Sequence, residues 1–202
     1  MYEEIKPIET IWRGYRFRSR LEARWAVAFD AMRFDWEFEP EGYIPTGLRY
    51  LPDFLIRNVK IQDDWVEDLY VEVKGVPQSY DIDKIVAFSE FRPVYLVMKL
   101  PEFDPQAKPW YSDMISASLD WPYPFTYTYI DHINRSAFLG VNDEGMPQLF
   151  GADDSLDRAN INATGYAYAA ARLARFEHSE RPENRREFGM ARMFVDASRN
   201  RR

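Results

Sequence analysis

The chain reads Leu-Tyr-Val-Glu-Val-Lys from residue 69 to residue 74, with apolar and polar side chains in alternation. Side chains two apart on a strand point to the same face of a sheet. This stretch therefore predicts a β-strand that turns its aliphatic residues towards a core, while Glu72 and Lys74 project together from the other face. Residues 75–77, Gly-Val-Pro, end the strand.

Helices and strands alternate on both sides of this strand. Ser19 and Glu22 form a capping-box pattern ahead of apolar residues at helical spacing, which predicts the start of a helix. In chain order, the sequence predicts a helix over about 19–32, strands over 35–39, 50–56 and 69–74, a polar connection over 57–67, a helix from 81 and a buried strand over 93–98. This order, helix, strand, strand, strand, helix, strand, predicts an α/β fold with a crossover connection.

The second half of the chain predicts a small β region and C-terminal helices. Five prolines over residues 100–125 indicate an irregular connection. The further predicted elements are paired strands over 125–130 and 136–141, a shorter strand near 148–150, an alanine-rich helix over 155–177 and a last helix over about 183–197. We expect a core over residues 1–99, with residues 100–202 packed on or beside it as a β-hairpin extension and C-terminal helices.

The composition excludes several kinds of site. The chain of 202 residues has no cysteine and two histidines, which excludes disulfides, cysteine-based metal sites and thiol catalysis. Any bound metal must be held chiefly by oxygen ligands, which favours a hard cation such as Mg²⁺ or Mn²⁺. The sequence shows neither an apolar run of about 18 residues nor a signal-peptide pattern. We therefore expect a cytoplasmic protein without a membrane segment.

The arginines are concentrated in two segments of a chain whose net charge is −7. Residues 13–24 hold five arginines and one acid, and residues 172–202 hold nine arginines and five acids. These segments could hold a polyanion while the acidic remainder binds cations. Arg16, Arg18 and Arg20 flank the start of the first predicted helix and are candidate phosphate contacts. Two solvated arginine-rich faces are the simpler alternative.

The acids near the predicted strand over 69–74 suit the hydrolysis of a phosphodiester. That reaction needs neutralisation of the phosphate charge and an activated water, and a divalent cation supplies both when carboxylates hold it. A neighbouring strand that presents Asp53 beside Glu72 and Lys74 would complete a site of two acids and one lysine.

These residues resemble the signature of a known superfamily. Pro52-Asp53, followed after eighteen residues by Glu72-Val73-Lys74, is similar to the PD-(D/E)XK motif of restriction endonucleases, phage exonucleases and RecB-type nucleases. The resemblance covers about residues 15–99 and includes the αβββαβ core order of that fold, with a mixed sheet. The run over residues 15–25 resembles bacteriophage and actinobacterial members. Some of those members carry a cysteine cluster, and a zinc site there does not carry over to a chain without cysteine.

The resemblance implies a metal site and a mechanism. Asp53, Glu72 and the backbone carbonyl of Val73 would hold Mg²⁺ or Mn²⁺, with Glu22 contributing directly or through water. Lys74 would orient or deprotonate the attacking water, or stabilise the charge that develops on the phosphate. A free lysine has a pKa of about 10.4, so action as a base would require neighbouring cations to depress it. Glu22 has an equally sufficient explanation as the third residue of a capping box.

Two further polar residues fall in the region covered by the resemblance. Gln78 follows the strand over 69–74, and Lys84 lies on the second predicted helix. Some superfamily members place a functional polar residue in this region, so both residues are candidate nucleic-acid contacts. The alternative is that both are polar only because they lie on the protein surface.

We therefore expect hydrolysis of single- or double-stranded DNA in a bacterial or phage-infected cell. One alternative is a non-catalytic protein with the nuclease fold, such as a phage-encoded inhibitor or interaction module. A second alternative is an RNA-cleaving nuclease, because carboxylates that hold a metal do not themselves discriminate between sugars. A homodimer or a protein partner is also left open.

Overall fold

The protein is a mixed α/β structure, here a computed structural model that describes residues 8–40, 50–62, 65–75, 78–97, 99–100, 126–130, 133–151, 159–176 and 181–200. The α/β class is confirmed. The strands are β1 Thr10–Trp12, β2 Tyr15–Phe17, β3 Trp36–Phe38, β4 Phe54–Gln62, β5 Trp65–Val73, β6 Val94–Val97, β7 Thr126–Ile130, β8 Ile133–Val141 and β9 Pro147–Gly151. The helices are α1 Arg20–Ala31, α2 Ser79–Ser89, α3 Ile161–Leu173 and α4 Arg186–Arg199, and a 3₁₀ turn spans Pro182–Asn184.

Seven strands form one curled mixed sheet, in the order β3-β4-β5-β6-β7-β8-β9. Strands adjacent in this order are antiparallel except for β5 and β6, which are parallel and are joined through α2. The additional pair of β4 and β9 is also parallel. A parallel pair needs such a crossover connection, so the predicted order from α1 to β6 is confirmed. The sheet curls far enough for β9 to pair with β4, where Lys60 lies opposite Gln148.

The two faces of the sheet are covered by different helices. On one face, Phe54, Val71 and Tyr95 belong to a large apolar cluster that also contains α1, α3 and α4. On the other face, Val94 and Leu96 pack with the buried residues of α2 in a smaller cluster. Alternate residues of β6 therefore face opposite layers, with Tyr95 in one cluster and Val94 and Leu96 in the other, as the period of a strand requires.

Tyrosine hydroxyls tie the second half of the sheet to the main core. The hydroxyl of Tyr95 in β6 accepts a hydrogen bond from the backbone N–H of Leu139 at 3.1 Å, and the Tyr168 hydroxyl of α3 donates to the Leu139 carbonyl. Trp25 of α1 packs edge-on against both tyrosine rings. One strand of the second half, β8, is thus fixed by residues from α3 and from the first half of the chain.

The prediction of a polar connection over residues 57–67 was wrong, because most of these residues belong to the long β-hairpin of β4 and β5. The pairing is irregular between Ile56 and Val59, where Asn58 has a φ of +55°. This bulge interrupts the alternation of side chains that identifies a strand. Arg57 and Asp68 form an ion pair across the hairpin at 2.7 Å, so the polar residues that suggested a loop pair with each other.

The strand predicted over 50–56 begins only at Phe54, and residues 50–53 are not part of the sheet. The short hairpin of β1 and β2 was not predicted, because each strand has three residues and gives no period to recognise. Arg13 and Gly14 form its turn with φ values of +49° and +85°. Two consecutive residues with positive φ are typical of the tight hairpin turn whose twist matches its strands.

The C-terminal helices exist as predicted but have different bounds. The helix predicted over 155–177 spans Ile161–Leu173. Asn160 is its N-cap, and the Asn160 side chain accepts a hydrogen bond from the N–H of Ala163 at 2.9 Å. The helix predicted from 183 begins at Arg186, after the 3₁₀ turn, and continues to Arg199. The irregular connection predicted over 100–125 lies, after its first residue, outside the described residues. Within the described ranges, no helix has the length and apolar character that crossing a bilayer requires.

Asp30 is a buried carboxylate that joins α1 to two other elements. Its oxygens accept the indole N–H of Trp12 at 2.9 Å and that of Trp36 at 3.2 Å. The guanidinium of Arg13 lies 3.0 Å away. Because Asp30 is buried, these partners replace the water that a carboxylate would otherwise bind.

We expect Asp30→Ala to lower the free energy of unfolding by about 2–4 kcal/mol, because two indole N–H groups lose their acceptor. The matched control is Asp196→Ala, which removes a half-exposed partner of Arg33 and should cost less than about 1 kcal/mol. Urea unfolding of both variants measures the difference. Equal losses in the two variants would contradict the role given to Asp30.

Candidate active site

Asp53 and Glu72 lie side by side because of the pairing between β4 and β5. Phe54 lies opposite Val71 in this antiparallel pair, and the same register one residue further brings Asp53 next to Glu72. Phe54 and Val71 point into the main core, so the two acids point to the face covered by α2. Both are buried, with Asp53 1% and Glu72 3% exposed.

Each oxygen of Asp53 has a different kind of partner. Oδ2 accepts the backbone N–H of Val73 at 2.8 Å, a fixed donor in the neighbouring strand. Oδ1 forms an ion pair with the guanidinium of Arg18, whose side chain is 59% exposed. The same guanidinium lies 3.4 Å from a carboxylate oxygen of Glu39. One oxygen of Asp53 is therefore held by buried backbone and the other by an exposed cation.

The partners of Glu72 follow the same division. Oε2 accepts from the hydroxyl of Tyr50 at 2.9 Å, in a buried contact. Oε1 lies 2.8 Å from the ammonium group of Lys74, which is 31% exposed. The structure thus brings together Asp53, Glu72 and Lys74 on one side of the sheet, with Val73 between the last two.

Glu22 closes the cap of α1 beside this cluster. Its two oxygens accept from the hydroxyl of Ser19 at 2.8 Å and from the backbone N–H of Arg18 at 3.0 Å. The N–H of Glu22 in turn donates to the Ser19 hydroxyl at 3.2 Å. The predicted N-cap is confirmed. The negative charge of Glu22 also raises the pKa of Asp53, so the cap lies within electrostatic range of the buried acids.

The other candidate contacts are spread around this centre. Gln78 is exposed at the start of α2, and its N–H donates to the carboxylate of Asp81 at 2.9 Å. Lys84 is exposed on α2, one turn after Tyr80, and its ammonium group lies 5.5 Å from the ring of that tyrosine. Arg16 is exposed on β2 and pairs with Glu9 at 3.3 Å. Arg20 begins α1 and is half-buried. Among the arginines predicted to bind phosphate, Arg18 forms an ion pair with Asp53.

The pKa values reflect the crowding of acids. Burial and the neighbouring Glu72 carboxylate raise the pKa of Asp53 to about 7, against the opposing effects of the Val73 N–H and Arg18. Burial and Glu72 also raise the pKa of Tyr50 well above its usual value, so its hydroxyl remains a donor. Burial lowers the pKa of Lys74, but its hydrogen bond to Glu72 and the nearby charges outweigh burial and leave the pKa raised.

Tyr50 and Asp81 are residues near this centre that the sequence did not indicate. Tyr50 was placed in a predicted strand, and its contact with Glu72 spans 22 positions of the chain. Asp81 raises the pKa values of both Lys74 and Tyr50, which places the start of α2 beside the acids. Tyr50 lies three residues before Asp53 in the chain, but this spacing does not predict a contact with Glu72 without the fold.

The donor set fits a hard divalent cation in part. Asp53 and Glu72 are buried oxygen donors on one face, and they pair with the exposed side chain of Arg18 and the partly exposed side chain of Lys74. Mg²⁺ is commonly held by one or two carboxylates completed by water. In the described part of the chain, no group of three or more His, Asp or Glu side chains is arranged to hold a metal ion. The protein ligands would therefore be Asp53 and Glu72, completed by the Val73 carbonyl and water.

No protein-family model matches the chain, and comparison with curated proteins and with solved structures found no match.

We expect Asp53 to make the folded protein less stable as the pH rises. A carboxyl with a pKa of about 7 when folded and about 4 when unfolded binds more protons in the folded state between these values. The free energy of unfolding must then fall as the pH rises from 4 to 7. Asp53→Asn, measured by urea unfolding in EDTA, should be more stable than the wild type at pH 8. The difference in the free energy of unfolding between Asp53→Asn and the wild type should decrease by at most about 3 kcal/mol between pH 8 and pH 5.

The control for this measurement is Glu67→Gln, which changes a partly exposed acid of β5 that pairs with Arg92 at 3.6 Å. Its difference from the wild type should change little with pH. An Asp53→Asn effect of the same size at pH 5 and pH 8 would show that the buried carboxyl does not titrate in this range.

Proposed function

We propose that this protein is a metal-dependent nuclease of the PD-(D/E)XK type that hydrolyses phosphodiester bonds in DNA. The observation that carries the proposal is the buried pair of Asp53, directly before β4, and Glu72 on β5, with the Lys74 ammonium group 2.8 Å from Glu72. Two like charges buried together are costly, and the two cations beside them, Arg18 and Lys74, have side chains that are 59% and 31% exposed. Such a pair is better explained by a ligand that brings positive charge than by a structural role.

Each residue has a distinct task in this proposal. Asp53 and Glu72 would hold Mg²⁺ or Mn²⁺, which when bound neutralises phosphate charge and acidifies a water. The N–H of Val73 and the hydroxyl of Tyr50 fix the orientation of the two carboxylates. The ion pair with Glu72 holds Lys74 as an ammonium group. This favours a role as a donor to the water or the phosphate over a role as a base.

The position of Glu22 supports a secondary role. Both of its oxygens accept hydrogen bonds from the turn that begins α1. A carboxylate oxygen has a second lone pair, so a water held by Glu22 could still reach a metal bound by Asp53. Direct ligation would require Glu22 to leave the cap.

The test is cleavage of linear, circular and single-stranded DNA, and of an RNA of the same sequence, with Mg²⁺ and with EDTA. Asp53→Asn, Glu72→Gln and Lys74→Ala should each lower the rate by about a hundredfold or more, because each removes charge from the reacting centre. Glu67→Gln is the matched control on β5 and should stay within about threefold of the wild type.

The outcomes separate the alternatives. Equal cleavage by all four variants would overturn the proposal. Tight DNA binding by the wild type with no cleavage would favour the non-catalytic binding protein. Cleavage restricted to RNA would keep the site and change the substrate.

A further inference from the structure

Arg18 occupies an unusual position between solvent and the buried acids. Its guanidinium forms the ion pair with Oδ1 of Asp53, the oxygen that the Val73 N–H leaves available. It also lies 3.4 Å from Glu39. The Arg18 side chain is 59% exposed, whereas that of Asp53 is 2% exposed. The one oxygen of Asp53 that faces outward is thus covered by a group that can rotate into water.

The backbone of Arg18 is fixed by a hydrogen bond, whereas its exposed side chain can move. Its N–H donates to Glu22 at 3.0 Å, at the junction between β2 and the cap of α1. The side chain can therefore change partner while its attachment stays fixed. An arginine has five donors that suit a carboxylate or a phosphate equally well.

We propose that Arg18 is an exchangeable counter-ion, which neutralises Asp53 in the metal-free protein and contacts a phosphate of the nucleic acid once Asp53 holds a divalent cation. This inference rests on the proposed nuclease function. It assigns Arg18 two alternating partners, so that metal binding makes an additional phosphate contact available. Arg16, on the same hairpin, pairs with Glu9 and has no such link to the acids.

The exchange predicts effects of opposite sign for one substitution. Arg18→Ala removes the cation that competes for Asp53, so Mn²⁺ should bind about tenfold more tightly in the absence of DNA. The same variant should bind DNA about tenfold more weakly in Ca²⁺, with a salt dependence reduced by about one phosphate contact. In EDTA its DNA affinity should equal that of the wild type, because Arg18 is then engaged by Asp53.

The experiment measures Mn²⁺ binding by calorimetry and DNA binding by fluorescence anisotropy, for the wild type, Arg18→Ala, Arg16→Ala and Asp53→Asn. Arg16→Ala is the matched control and should leave Mn²⁺ affinity unchanged. Any DNA affinity that it loses should be lost equally in Ca²⁺ and EDTA. A residue that only supports the fold would weaken Mn²⁺ binding when removed, the reverse of the expected result.

Two negative results are distinguishable. If Asp53→Asn abolishes Mn²⁺ binding but Arg18→Ala leaves it unchanged or weaker, the counter-ion role is overturned and the metal site stands. If the wild type does not bind Mn²⁺, or Asp53→Asn binds it equally well, both the counter-ion role and the proposed nuclease function are overturned.

Discussion

Two carboxylates are forced together by the apolar face of the strands that carry them. Phe54 and Val71 pair across β4 and β5 and pack into the main core. A slip of one residue would move every side chain of a strand to the opposite face. The core therefore fixes the register, and the register places Asp53 beside Glu72 whatever their mutual repulsion costs. Much of the free energy that holds the acids in place comes from residues that do not touch them.

Two kinds of hydrogen-bond donor reduce the repulsion between the two carboxylates. The Val73 N–H and the Tyr50 hydroxyl are buried and direct one oxygen of each acid. Arg18 and Lys74 are more exposed and supply charge to the other oxygen. Rigid neutral donors preserve the geometry of a site, whereas mobile cations can be exchanged for a ligand. Buried apolar groups of the same size would stabilise the fold at a lower desolvation cost than these charged groups.

The success of prediction from sequence depended on the regularity of each segment. The alternation over residues 69–74 identified β5, and the capping pattern at Ser19 located the start of α1. The hairpin of β4 and β5 was missed where Asn58, with positive φ, interrupts the alternation. Arg57 and Asp68 look like loop residues until their ion pair is seen. Local patterns fail where a bulge or a long-range pair replaces the regular period.

The sequence by itself determined that Glu72 and Lys74 share a face and that any metal would need oxygen ligands. It placed Asp53 within a predicted strand, whereas in the structure β4 begins one residue later, at Phe54. The tertiary structure alone decided which groups surround the acids. Arg18 reaches Asp53 across 35 positions, and Tyr50 reaches Glu72 across 22. Side-chain direction follows from the local period of a strand, but contacts between distant segments depend on sheet register and on the closure of loops, which no local period encodes.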